Sequence, residues 1–231
     1  QLVLGVGSGT DRYTAPRLGE PPGHNVNLHA AYIPIVLAGG AMPRDSALAM
    51  YRALIAPGAA EREWKRRVAH ADSLRRTAFS IRSPDSLLDR AAEYAKVNLD
   101  ESFVCNPDLG CGLVAGYGLS GAASDRPGFG WFFGGDAAIN SFAMTGAGLT
   151  PLVRDGVFRF FAQFQRADGK ITHEISQGAK RVDWFGYPYA FYHGDTTPFW
   201  MLAFGEYWRQ TGDTALVREL WPNLRRAYDW S

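Results

Sequence analysis

Two stretches decide how this chain reads: FGWFFGGDAAINSFAM, residues 129–144, and HGDTTPFWMLAFGEYWRQTGD, residues 193–213. Each begins as an aromatic and glycine-rich loop, reaches a single aspartate, Asp136 or Asp195, and passes straight into a long apolar run. Glycine lets backbone approach a neighbour closely, and aromatic rings offer broad apolar faces. The pattern predicts one helix over 136–145 and another over 197–211, each with a carboxylate at its entrance.

The flanking segments continue the helical pattern. Ser83-Pro84-Asp85 reads as a helix start with Ser83 as N-cap and Pro84 in the first helical position, followed by Leu87, Leu88, Ala91, Ala95 and Leu99 at three-to-four spacing. Residues 151–165 set Val153, Val157, Phe160, Phe161 and Phe164 on one face, and a TGDT turn at 211–214 opens a last helix. Upstream, a helix over 43–55 is stopped by Pro57-Gly58, and 60–73 is polar and helical. Residues 1–40 are rich in Gly and Pro, and the apolar run LHAAYIPIVL at 28–37 suits a strand with Pro34 at its edge or end.

Three regions follow from these signals: 1–40, the tail of an N-terminal domain; 41–80, a helical linker; and 81–231, the first part of a larger helical domain. The start at Gln1 has no signal-peptide pattern, and the end at Ser231 stops on a helical pattern, so both ends read as cuts within a longer protein. Connections in the third region alternate long (105–134), short, long (166–195), short. In an antiparallel helical array, that order gathers the long loops at one end. Loops of about 30 residues in a compact domain are usually functional. The run from Thr197 is apolar nearly all round and suits the inner ring of a double-layered helical toroid, whereas the more amphipathic 151–165 suits the outer ring.

Composition narrows the function. The 231 residues carry a net charge of +1 with 20% charged residues, and the only basic run is the short EREWKRR, which reads as a solvated helix face. No nucleic-acid footprint is present, and no window is apolar enough to span a membrane. Cys105 and Cys111 are close enough in sequence for a local disulfide, but two cysteines do not make a framework, so they read as packing thiols. No metal-ligand spacing such as HExxH occurs, and GVGSGT at 5–10 lacks the context of a phosphate loop, so no cofactor is expected.

The carboxylates of the long loops and helix starts are Asp136, Glu174, Asp183 and Asp195. Glycosidic hydrolysis uses two carboxyl groups, about 6.5–9.5 Å apart when water attacks directly, and further carboxylates grip sugar hydroxyls. Asp136 follows Trp131, Phe132 and Phe133, which favours a ligand-facing role over a plain N-cap; Asp195 has the same two readings. His173-Glu174 follows a turn at Asp168-Gly169, and the next segment adds Trp184, Tyr187, Tyr189, Tyr192 and His193, the last read as a hydrogen-bonding neighbour of Asp195. Asp136, Glu174 and Asp195 are expected to converge around one saccharide ring.

SIRSPDSLLDRAAEYAKVNL, NPDLGCGLVAGYG, PGFGWFFGGDA, DGKITHEIS and GDTTPFWMLAFGEYWRQTGD, in this order, resemble the six-hairpin glycosidases, particularly bacterial amylo-alpha-1,6-glucosidase and glycogen debranching enzyme-like proteins. The resemblance implies a mainly α fold, a partial (α/α)6 toroid preceded by the end of a β-rich domain. It implies a glycoside hydrolase cleaving α-glucosidic linkages, including α-1,6, or related oligosaccharides by inverting single displacement, without a cofactor. Trp131, Phe133 and Asp136 match the segment where related glucoamylases hold the terminal sugar with an Arg-Asp pair; here Gly135 precedes the aspartate. His173, Glu174 and Asp195 match other pocket positions. The family's acid and base come from loops after later helices and are expected beyond Ser231. Two other classes stay open: a carbohydrate-binding relative without activity, and a helical-toroid polysaccharide lyase recruiting Tyr187, Tyr189 and His193.

Overall fold

The computed structural model describes residues 2–6, 35–39, 42–117 and 128–231. Residues 28–34 of the expected strand, 7–10 of the GVGSGT stretch and 118–127 of the first long loop lie outside the described residues. The described chain is mainly helical with a few short strands, and it divides into two compact units, 1–73 and 74–231. No described helix is long and apolar enough to cross a membrane.

In the first unit, β1 (Leu2–Val6) and β2 (Ile35–Gly39) form an antiparallel ribbon with Leu2 opposite Gly39 and Val6 opposite Ile35. β2 alternates as a half-buried strand must, with Val36 and Ala38 inside and Ile35 and Leu37 exposed. α1 (Arg44–Ile55) packs on β2, and Pro57-Gly58, with Gly58 at φ 72°, breaks the chain before α2 (Ala59–Thr77). The EREWKRR run lies on α2 as a solvated face, its charges paired along the helix as Lys65–Glu61 and Arg66–Glu63. The division between units falls within α2.

The second unit opens with α3 (Ser86–Glu101), and its cap differs from expectation. Asp85, not Ser83, is the N-cap: its backbone is extended and its carboxylate accepts the Leu87 N–H at 2.8 Å. Ser83 instead donates its N–H to Asp89 and its hydroxyl to the Asp85 carbonyl. Pro84 therefore stands ahead of the helix.

The first long loop contains a hairpin that the loop reading passed over, β3 (Phe103–Asn106) with β4 (Gly110–Leu113). Asn106 turns the chain by accepting the Asp108 and Leu109 N–H groups on its side-chain oxygen, and Gly110 takes φ 97°, which favours glycine. This turn sets Cys105 directly opposite Cys111, and the two form a disulfide. The packing-thiol reading is thus corrected: the turn brings their Cα atoms within 3.9 Å.

β5 (Phe132–Phe133) pairs with β6 (Glu174–Ile175), and α4 (Gly134–Gly146) follows β5 without a break. Residues 150–162 form one helical run: α5 (Thr150–Val153), a π turn over Arg154–Arg159, and α6 (Phe160–Ala162). The run is more deeply buried than its amphipathic pattern suggested. Phe158, off the expected face, is fully buried and meets Trp200, Phe204 and Tyr207 edge-on at 6.1, 4.9 and 5.2 Å. Burying such a side chain contributes about 1.5–3 kcal/mol.

Those three partners belong to α7 (Thr196–Thr211), which ends on Gly212 at φ 66°. α8 (Thr214–Trp230) starts at once, its N-cap Asp213 accepting the Leu216 N–H. The all-round burial read for α7 does not hold in this chain. Trp200, Ala203, Phe204 and Tyr207 are buried, whereas Leu202 and Trp208 are exposed. The alternation of connections does hold: long chain segments lead into α4 and α7, and short turns leave them. α4 and α7 pack side by side.

Candidate functional site

A cavity of about 330 Å³ opens where the long segments deliver the first turns of α4 and α7. Residues four apart share a helix face, and the lining follows that rule. α4 supplies Gly135 with Ile139 and Asp136 with Asn140, while the start of α7 supplies Asp195 with Phe199. His173 and His193 complete the wall from the second long segment.

Local packing explains why these groups meet. The Gly134 N–H donates to the His173 carbonyl at 2.7 Å, drawing segment 171–175 onto the start of α4. A Cβ at Gly134 would lie 2.3 Å from the Thr172 carbonyl oxygen, so only glycine permits this approach. The same segment is held from other sides as well. His173 N–H donates to the Ala190 carbonyl, Ile171 N–H to Thr197 Oγ1, and Trp184 Nε1–H to the Glu174 carbonyl. Thr196 and Thr197, both fully buried, thus tie α7 to the segment that carries His173 into β6.

Inside the cavity the imidazoles of His173 and His193 stack at 4.0 Å and 28°. His173 Nδ1 lies 3.3 Å from Thr196 Oγ1, and His193 Nδ1 lies 3.8 Å from Asp195 Oδ1. The latter separation exceeds a hydrogen bond and makes an ion pair only when His193 is protonated. Asp195 occupies the N-cap position of α7, yet its side chain makes no capping hydrogen bond. Asp136 is in the first turn of α4, three residues beyond the N-cap Phe133, because α4 starts earlier than the 136–145 reading. Asp136 is exposed at the cavity mouth, yet its carboxyl is pushed above the ordinary aspartate range, chiefly by the partial desolvation it meets at the start of α4. Its backbone N–H and the charge of His193 pull it down, and the negative charge of Asp195 pushes it further up.

The structure therefore brings together Asp136, His173 and Asp195, but not all of the expected group. Glu174 does not line the cavity: with 1% exposure it is enclosed in the interior, on the strand pair opposite Phe133. The expected three-carboxylate convergence is corrected to two. Trp131 packs edge-on against Trp184 at 5.2 Å and does not line the cavity. Phe133, 7% exposed, sits between Phe129 and His173 and sets the His173 ring rather than meeting the cavity. Tyr187, Tyr189 and Tyr192 are exposed, and Tyr192 meets His193 edge-on at 5.6 Å. Ile139, Asn140 and Phe199 were missed as lining residues, although each lies four residues beyond Gly135, Asp136 or Asp195. That spacing was the available signal.

The set offers two carboxylates, a carboxamide and two imidazoles beside the apolar surfaces of Ile139 and Phe199. Such a wall accepts and donates hydrogen bonds to several hydroxyls while covering a weakly polar ring face. Among the described residues no group of three or more His, Cys, Asp or Glu is arranged to hold a metal ion. No family model matches this chain, and no curated protein matches it.

Proposed function

We propose that this chain carries the sugar-holding part of an O-glycosyl hydrolase acting on α-glucosidic, including α-1,6, or related oligosaccharides. The observation that carries the reading is the pairing of Asp136 and Asp195 at the starts of two adjacent helices, facing one cavity beside stacked imidazoles. In this reading Asp136, Asp195 and Asn140 take the hydroxyls of one ring, and Phe199 and Ile139 cover its apolar side. Long segments entering α4 and α7 with short turns leaving them accord with an (α/α)6 toroid, and the β1–β2 ribbon accords with a preceding β-rich domain.

Neither visible aspartate is assigned as the acid or base. Both have holding roles, and the resemblance puts the reacting pair of a single-displacement hydrolase on loops after later helices. A second reading, sugar binding without hydrolysis, is favoured by Gly135, which stands where the resembled glucoamylases supply a charged donor to the sugar.

Calorimetric titration of the 231-residue chain with methyl α-glucoside, maltose and isomaltose tests the shared claim. Binding near 1 mM, about −4 kcal/mol, is expected, and Asp136→Asn should abolish it. Absence of binding by every saccharide would refute both readings. For a longer polypeptide containing this chain, NMR of the product anomer separates them: inverted product supports hydrolysis by single displacement, binding without turnover supports the second reading, and unsaturated product points to a lyase.

A further inference from the structure

We propose that Gly135 is a specificity-determining position, bare because the ligand needs the space and not because the fold needs glycine. The inference rests on the carbohydrate reading above and deepens it.

The neighbouring pair Gly134-Gly135 separates the two causes. At Gly134 a Cβ would meet the Thr172 carbonyl oxygen at 2.3 Å, Thr196 Cγ2 at 2.8 Å and the Phe161 ring at 3.3 Å. Packing alone demands glycine there. At Gly135 a Cβ would meet only Thr196 Oγ1, at 3.5 Å, an ordinary van der Waals contact. Gly135 is not among the glycines with positive φ, so its backbone suits any L-residue. It also lies in the first turn of a helix, where alanine is the better former. Neither packing nor conformation asks for glycine at 135.

The position does line the cavity, next in sequence to Asp136 and beside the threonine that contacts His173. A side chain there would take up room that Asp136, Asp195 and the imidazole pair surround. With glycine, the wall is bare main chain, and ligand atoms approach the first turn of α4 directly. This suits a saccharide ring that offers a hydroxyl to Asp136 while its neighbouring ring carbons rest against backbone.

Gly135→Ala and Gly135→Leu test the assignment through thermal unfolding, calorimetric titration with methyl α-glucoside and isomaltose, and a crystal structure of the leucine variant. Gly135→Ala is expected to keep Tm or raise it by a few degrees. Affinity is expected to fall several-fold with alanine and at least about tenfold with leucine, as overpacking of a fitted site costs. The crystal structure is expected to show the leucine side chain inside the cavity with α4 and α7 unmoved. Native affinity in Gly135→Leu, a drop in Tm for Gly135→Ala, or a leucine turned out of the cavity would each overturn the inference. No saccharide binding by the unchanged chain would overturn the carbohydrate reading; the crystal structure would still decide whether residue 135 governs the cavity space.

Discussion

Replacing Gly134 by alanine adds one methyl group at the most crowded point of the site. The new Cβ would stand 2.3 Å from the Thr172 carbonyl oxygen, well inside contact distance, and 2.8 Å from Thr196 Cγ2. Neither neighbour can yield cheaply. Thr172 donates its hydroxyl to the Phe164 carbonyl, its two flanking N–H groups are bonded to Thr197 and Ala190, and Thr196 is fully buried. Overpacking of this kind costs about 1–3 kcal/mol, and a clash with tethered backbone belongs at the upper end. Alanine returns up to about 1 kcal/mol through helix propensity. The net loss is about 2 kcal/mol, or roughly 4–8 °C in Tm for a unit of this size. Thermal unfolding followed by circular dichroism measures the loss, and hydrogen exchange at the residue 134 amide reports whether its bond to the His173 carbonyl survives. A Tm equal to or above that of the native chain, with the amide still protected, would refute the claim that glycine is required there.

Asp136→Asn should stabilise the chain at neutral pH while abolishing saccharide binding. Its folded pKa lies above the unfolded value, so its favourable contribution is complete below the ordinary aspartate range and is lost as pH rises through the folded pKa. Because Asp136 is exposed, only a small Tm gain at pH 7 that disappears near pH 3 is expected; an equal gain at both would contradict the desolvation argument. The Cys105–Cys111 cross-link closes a short loop, for which the chain-entropy model gives about 2 kcal/mol, measurable as the urea midpoint shift of the double serine variant. Thiol titration of the unfolded, unreduced chain should find no free thiol, and finding two would restore the packing reading. Asp85→Ala should cost about 1 kcal/mol through loss of the α3 cap, and Ser83→Ala clearly less, because Asp85 holds the Leu87 N–H. The reverse order in thermal unfolding would return the cap to Ser83.

Much of the helical plan was legible because its causes are local. Apolar spacing and short-range punctuation located α1, α3, α4, α7 and α8 to within a few residues, and Gly212-Asp213 marked the α7–α8 turn. Loop lengths read in order pointed to the end of the helices where the cavity lies. The two aspartates at helix entrances were visible for the same reason, since an entrance is defined by neighbours in sequence.

What stayed hidden depends on residues far apart in the chain. Glu174 and His173 are adjacent, yet one is enclosed and the other lines the cavity, because the β5–β6 pairing and the bond from Gly134 orient them. The Asn106 turn had to place Cys105 opposite Cys111 before a disulfide could be distinguished from two packing thiols. Gly134 and Gly135 are identical letters whose difference lies in the distance to Thr172, 38 and 37 residues away. The sequence by itself determined which segments are helical and which carboxylates stand at their starts, through propensity and capping that act within a turn or two. Only tertiary structure decided which of those groups share one cavity and which glycine leaves room in it, because close approach between distant backbones is a property of the packed chain.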